Sequence, residues 1–358
     1  MTIIHNCHTH IFTNKNVPDK FLPFGLLRLF SRKRISMKLG RILNRMIWWS
    51  DDDLFDRFAV FMNIGNYTSQ KEIFELIRGF YPEKSRFIVH SMDMEYMKAG
   101  KPAQLFEKQL EELAAVARLY PDTIYPFICA DPRRDAIADL VKEYIEEQGF
   151  RGIKLYPSLG FYPFDERLEP VFEYAEKNSI PVTAHCSRGG IYYRGSITDD
   201  MLVHPKTGKK LEETGNKTFT DNFANPHNYS YVLEKFPELK ICLAHFGGDR
   251  DWKSFLTTPW DSEYKEENWY STVRKLIKTH KKVYADIAYT AFHTDLLPLV
   301  KVTVKDPELR ERILYGSDYY MVEQDMSDRA FGISVRAFLG EDDFIQIAET
   351  NPRKFLFV

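Results

Sequence analysis

The stretch PVTAHCS, residues 181–187, sets the pattern on which the fold reading rests. A short apolar run, rich in β-branched residues, ends directly on a histidine. The same plan recurs in ICLAHFGG (241–248), in ILYGSDYY (313–320) and, with a lysine inside the run, in GIKLYP (152–157). Working outward, eight such runs emerge: residues 3–7, 87–91, 124–129, 152–156, 181–184, 240–244, 283–287 and 313–315. They are apolar on both faces, as parallel strands are when helices cover them. Helix-length segments separate them. Residues 103–120 carry Leu105, Leu110, Leu113, Val116 and Ala117 near helical spacing, and 133–148 and 165–178 behave alike. Eight strands in βα alternation favour a closed α/β barrel, the (β/α)8 or TIM barrel, over an open doubly wound sheet. No glycine-rich phosphate loop follows the first run, which weakens a nucleotide-binding reading.

The 358 residues exceed the roughly 250 of a minimal barrel. One domain spanning 1–358 is expected, with the excess in two places. A helical insertion follows strand one, about 13–85, and a long glycine-bearing loop follows strand five, 187–222. Both follow strands, so both belong over the carboxyl-end mouth, where barrel active sites are built. The apolar share of 44% is ample for a core, and the net charge of −2 gives no reason to expect nucleic acid. The N-terminus lacks a signal-peptide pattern, and no run approaches the ~20 apolar residues of a membrane span. Cys7, Cys129, Cys186 and Cys242 form no CxxC pair and read as core residues in a reducing compartment. A cytoplasmic setting is expected.

Residue types that bind metals sit at the strand ends. His8 and His10 close strand one, and residues two apart on a strand share a face. Lys154 lies within strand four. His185, His245 and Asp318 close strands five, six and eight. In a barrel these ends converge on one mouth. Several imidazoles and a carboxylate suit Zn²⁺ and related divalent ions. A lone HxH or a lone strand-end histidine carries little weight; the recurrence in barrel order carries the reading. A buried strand lysine needs a partner, because an unpaired buried ammonium is costly.

These pieces resemble the amidohydrolase superfamily, within it the group that includes aminocarboxymuconate-semialdehyde decarboxylase. The matching segments run from HTHIF (8–12) through FICADP (127–132), GFRGIKLYP (149–157), IPVTAHCS (180–187), FPELKICLAHFGG (236–248) and ILYGSDYY to NPRKFLF (351–357). The resemblance implies that His8, His10 and His185 are metal ligands. It implies that Asp318 sits at the metal and moves a proton, and that His245 is either a ligand of a second ion or an acid–base beside a single one. Lys154 matches the position where some members carry a carboxylated lysine bridging two metals. The cofactor is therefore one or two divalent ions, Zn²⁺ first.

The expected chemistry is hydrolysis of an ester, lactone, amide or related bond in a small molecule, with Asp318 taking a proton from water and passing it on. The alternative is nonoxidative decarboxylation at the same site, with Arg188 as a bidentate carboxylate clamp. Its other reading is a solvated loop arginine, slightly favoured. Tyr156, Asp249, Arg250 and Tyr289 follow strands and are candidates to line the pocket. Cys186, one residue past His185, points the other way and is rejected as a nucleophile. His90, near the end of strand two, is ambiguous. The basic, aromatic segment Lys15–Trp49 reads as a lid or dimer-contact helix pair, preferred over an interfacial membrane helix. A homodimer is among the readings, because a large apolar insertion calls for a partner surface.

Overall fold

A computed structural model describes residues 2–21, 62–258, 268–324 and 326–358. Eight parallel strands follow one another in sequence order around the sheet: β1 His5–His10, β2 Arg86–His90, β3 Ile124–Cys129, β4 Gly152–Leu155, β5 Val182–Ser187, β6 Ile241–Gly247, β7 Val283–Asp286 and β8 Ile313–Leu314. The barrel closes between its first and last strands. Cys7 N–H donates to the Tyr315 carbonyl and Asp318 N–H to the His8 carbonyl, both at 2.8 Å. The fold is the expected (β/α)8 barrel, and all eight runs became strands.

Helices alternate with the strands. Phe106–Leu119 lies between β2 and β3, Ile137–Glu146 between β3 and β4, and Glu169–Lys177 between β4 and β5. Asn228–Lys235, Trp269–Thr279 and Leu297–Lys305 fill the next three connections, and Asp328–Leu339 follows β8. Each buries an apolar face against the sheet. In Phe106–Leu119 that face is Phe106, Leu110, Leu113, Val116 and Ala117. Leu105 lies just before this helix and is solvent-exposed, so it drops out of the face that periodicity gave it.

Strand residues alternate between two cores. Cys7, Ile88, Tyr125, Phe127, Cys242, Tyr284 and Leu314 form one cluster, closed off by Phe355 of the C-terminal helix Asn351–Phe357. Their strand neighbours join the larger cluster between sheet and helices. Gly152 is required here: a Cβ on it would come within 2.4 Å of the Phe127 ring. All four cysteines are buried and free, as expected of core residues.

The segment after strand five is less of a plain loop than expected. β5 itself runs on to Ser187, and the connection holds two short helices, Asn216–Phe219 and Asp221–Ala224. Its first part folds back on the barrel: Tyr193 N–H donates to the Ser158 carbonyl (2.9 Å) and Arg194 N–H to the Met97 carbonyl (2.7 Å). Of the insertion after β1, a short turn at Asn14–Asn16 and a helix at Gln70–Arg78 are described. Most of the basic segment Lys15–Trp49, with its lid and membrane readings, lies outside the described residues. Among those residues, no helix is long and apolar enough to cross a membrane.

Candidate metal centre

The strand ends bring six of the candidate residues into one buried group. His8, His10 and Asp318 offer ligand atoms that all lie within 4.8 Å of one another, and so do His8, His245 and Asp286. The His185 ring stands 5.0 Å from that of His245. Lys154 reaches across from β4, its Nζ 3.4 Å from His8 Nε2.

Hydrogen bonds fix how the rings are turned. His8 Nδ1 contacts Asp286 Oδ2 at 2.9 Å, and a carboxylate there makes Nδ1 the protonated nitrogen. His10 Nδ1 lies 3.0 Å from the His90 carbonyl, and His245 Nδ1 lies 3.0 Å from the Ala288 carbonyl. In each ring the bond assigns the proton to Nδ1, which leaves Nε2 as the lone-pair nitrogen. This is the outer arrangement that metal-binding histidines use, including the carboxylate–histidine pair. Burial holds the His8, His10 and His185 imidazoles well below their usual range. The Lys154 charge acts in the same direction, after burial for His8 and His10 and after His245 for His185. Unprotonated imidazole is the form that binds metal. Burial also raises the Asp318 carboxyl to about 7, against the pull of Lys154. The donor set thus fits a divalent ion: neutral nitrogens, one carboxyl, and buried polar atoms such as His185 Nδ1 with no hydrogen-bonding partner of ordinary geometry.

The backbone is strained where these side chains emerge. His245, Phe246, Tyr289 and Asp318 have φ of 64°, 48°, 60° and 56°, left-handed values uncommon for residues with a Cβ. Such outliers persist only where the surroundings over-determine them. Asp318 is held by its bond to the His8 carbonyl, and Thr290 Oγ1 donates to the His245 carbonyl at 2.8 Å. Gly316 packs so closely that a Cβ would fall 2.7 Å from His8 Cβ.

Of the other expected site residues, Tyr156 is buried against the group, whereas Arg188 and Asp249 make ion pairs with residues outside it. The Tyr156 ring stacks on His185, centroids 4.2 Å apart at 10°, and its hydroxyl accepts from Ile191 N–H at 3.3 Å. Arg188 Nε donates to Asp251 Oδ2 at 2.8 Å, and its guanidinium lies over the Trp269 ring. Asp249 pairs with His293 at 3.0 Å and Lys253 at 3.3 Å. A separate surface cavity of about 450 Å³, lined by Tyr96, Glu107, Arg134 and Glu143 among others, contains none of the site histidines.

One residue of the group escaped the sequence reading, and a second stayed ambiguous in it. Asp286 lies inside the seventh apolar run and looks like a strand interruption. His90 was ambiguous; its ring sits 4.7 Å from that of His8 and 5.5 Å from that of His10. A polar residue near the end of each barrel strand is the signal that would have found both.

The comparisons with known proteins agree with the barrel fold. No curated protein sequence matches the chain. Among solved structures, 5-carboxyvanillate decarboxylase from Novosphingobium aromaticivorans, with bound manganese, is 15% identical, covers 100% of this chain and 97% of its own, and has a TM-score of 0.58. For 2,6-dihydroxybenzoate decarboxylase from Rhizobium the values are 14%, 99%, 99% and 0.55. For 4-oxalomesaconate hydratase from Rhodopseudomonas palustris they are 16%, 99%, 95% and 0.53. At these identities the likeness shows the shared fold. The amidohydrolase family model matches residues 77–358, most of the chain, and the protein therefore belongs to the amidohydrolase family.

Proposed function

We propose that this chain is a metal-dependent hydrolase acting on an ester, lactone, amide or related bond of a small molecule. The observation that carries the reading is the pairing of His8 Nδ1 with Asp286 and of His10 Nδ1 with the His90 carbonyl, which turns two Nε2 atoms toward the space shared with Asp318. His8, His10, His185 and Asp318 would hold one ion, Zn²⁺ by donor type. A bound divalent ion lowers the pKa of water to about 7 and polarises a carbonyl oxygen. The rest falls to the chain. Asp318 accepts the proton of the attacking water and returns it to the leaving group. His245, its Nδ1 anchored on Ala288, presents Nε2 as a second acid–base rather than as a ligand. Tyr156 braces the His185 ring by stacking on it.

Nonoxidative decarboxylation is the second reading, favoured by Lys154 beside His8, where an ammonium would attract a carboxylate. Metal-free protein, reconstituted with Zn²⁺ or Mn²⁺, is screened on ester, lactone and amide panels and on aromatic and dienoic acids with trapping of CO₂. Metal-dependent hydrolysis is the expected result. Activity that ignores the metal sinks both readings, and CO₂ release without hydrolysis moves the assignment to the second.

A further inference from the structure

The segment 189–195, just past β5, lies on the ring of a proposed ligand. His185 is 3% exposed. Tyr156 covers one face of its imidazole. Gly190 covers the edge that carries Nε2 and Cε1: a Cβ added to it would fall 3.3 Å from either atom. Ser187 Oγ stands 3.3 Å from the same Nε2. That edge is shut off from solvent while the segment stays in place.

The bonds that hold the segment down converge on Ser158, a buried residue in the turn after β4. Its Oγ donates to the Ile191 carbonyl at 2.9 Å, and its carbonyl accepts from Tyr193 N–H at 2.9 Å. Ile191 N–H also donates to the Tyr156 hydroxyl at 3.3 Å, and Arg194 N–H to the Met97 carbonyl at 2.7 Å. The Tyr193 ring seats on Gly160, where a Cβ would come within 2.8 Å of it. The two ends are fixed separately. Gly189 N–H donates to Asp221 Oδ1 at 3.0 Å, and Asn216 Nδ2 donates to the Gly195 carbonyl at 2.6 Å. Just inside the first anchor, Gly189 and Gly190 have φ of 77° and 79°. Two successive glycines absorb a large change in φ and ψ at little steric cost. Lifting 191–194 breaks loop bonds only. The β5–β6 pairing, which ends at Ser187, stays intact.

We propose that residues 189–195 are a strap that opens about Gly189–Gly190 with Ser158 as its latch, and that this opening admits the metal, and after it the substrate, to His185. The hinge and latch stand on geometry; their purpose rests on the metal-enzyme reading above.

Two variants loosen the strap without touching a ligand. Ser158→Ala removes the bond to the Ile191 carbonyl, and Tyr193→Ala removes the ring seated on Gly160. In hydrogen exchange on metal-free protein, 189–195 is expected to exchange ahead of β5 and β6. Each variant is expected to speed that exchange roughly 3- to 10-fold, as the loss of about one hydrogen bond does. In Zn²⁺-loaded wild type, transfer to a strong chelator is expected to level off as chelator is raised, because opening comes before release. The limiting rate rises by the same factor in each variant. Equilibrium Zn²⁺ affinity stays at the wild-type value, since a gate speeds uptake and release alike. Tyr193 is only half-buried, so Tyr193→Ala still decides should Ser158→Ala fail to fold. Exchange of 189–195 no faster than that of the strands overturns the proposal. So do transfer rates that neither folded variant changes, a wild-type rate that climbs with chelator without limit, or faster release with weakened affinity, the mark of a damaged ligand set. A wild type that takes up no Zn²⁺ ends the functional reading and this purpose with it; one that takes up Zn²⁺ at rates indifferent to both variants ends only the gate.

Discussion

Asp286 is the residue on which most of the buried group turns. Its Oδ2 accepts from His8 Nδ1 at 2.9 Å. Its Oδ1 accepts from the backbone N–H of His245 at 2.9 Å and of Ala288 at 3.1 Å. One carboxylate therefore orients the His8 ring and fixes the strained turn that carries His245. Charge-assisted bonds to a fully buried carboxylate are strong, and removing the charge leaves the imidazole free to rotate or change tautomer. Asp286→Asn is expected to fold and to bind Zn²⁺ about 10- to 100-fold more weakly, as measured by competition with a coloured chelator. Unchanged affinity would show that His8 needs no such anchor. The role was illegible in the sequence for a physical reason. His8, His185, His245 and Asp318 each break the pattern at the end of an apolar run, whereas the task of Asp286 is defined by a partner 278 positions away.

At the scale of elements, the weakest joint of the barrel is the seam between β1 and β8. β8 is two residues long, so a side chain supplements the ladder. Asn6 Oδ1 accepts from the N–H groups of His8 (3.2 Å) and Ser317 (3.0 Å), and its Nδ2 donates to Ser317 Oγ (2.8 Å) and Tyr81 hydroxyl (2.9 Å). Every polar atom of this buried amide is used, directly behind His8 and Asp318. The eight strands themselves were legible, because period-two burial and β-branched runs are local properties. The seam was not, since Asn6, Tyr81 and Ser317 are ordinary polar residues until closure joins them. Behind Tyr81 lies Asp328, whose carboxyl accepts the Tyr81 hydroxyl at 3.1 Å and which burial raises to about 7. Its unfolded value is near 4. Between about pH 4 and 7 the unfolded chain releases this proton and the folded chain keeps it. Stability from this group is therefore complete below pH 4 and falls as pH rises, by up to about 1.4 kcal/mol per pH unit. Asp328→Asn is expected to gain on the wild type across that window, by roughly 2–4 kcal/mol in denaturant titrations at pH 4 and pH 7.5. Parallel pH curves for the two proteins would refute it.

For the whole molecule, the proposed ligands come from strands far apart in the chain: β1 supplies His8 and His10, β5 supplies His185, and the turn after β8 supplies Asp318. An ion held by this set would tie β8 to β1 across the seam and to β5 on the other side of the barrel. The assembled nest exists only in the folded chain, so binding energy becomes folding energy. Stripped of metal, the same group keeps Lys154 and five clustered imidazoles, those of His8, His10, His90, His185 and His245, without the ion that would organise their lone pairs. By mass action, metal at a thousandfold excess over its dissociation constant adds about 4 kcal/mol. With roughly 2–4 °C of midpoint per kcal/mol for a domain of this order of size, chelation is expected to lower the thermal midpoint by on the order of 10 °C. Zn²⁺ should restore it. His10→Ala, which removes one ligand without touching the Asn6 bonds at the seam, should show a smaller drop on chelation. Thermal scans of both proteins, before chelation, after it and after metal return, measure the effect. Equal midpoints in all three states of the wild type would mean that the seam stands on Asn6 and its backbone bonds alone.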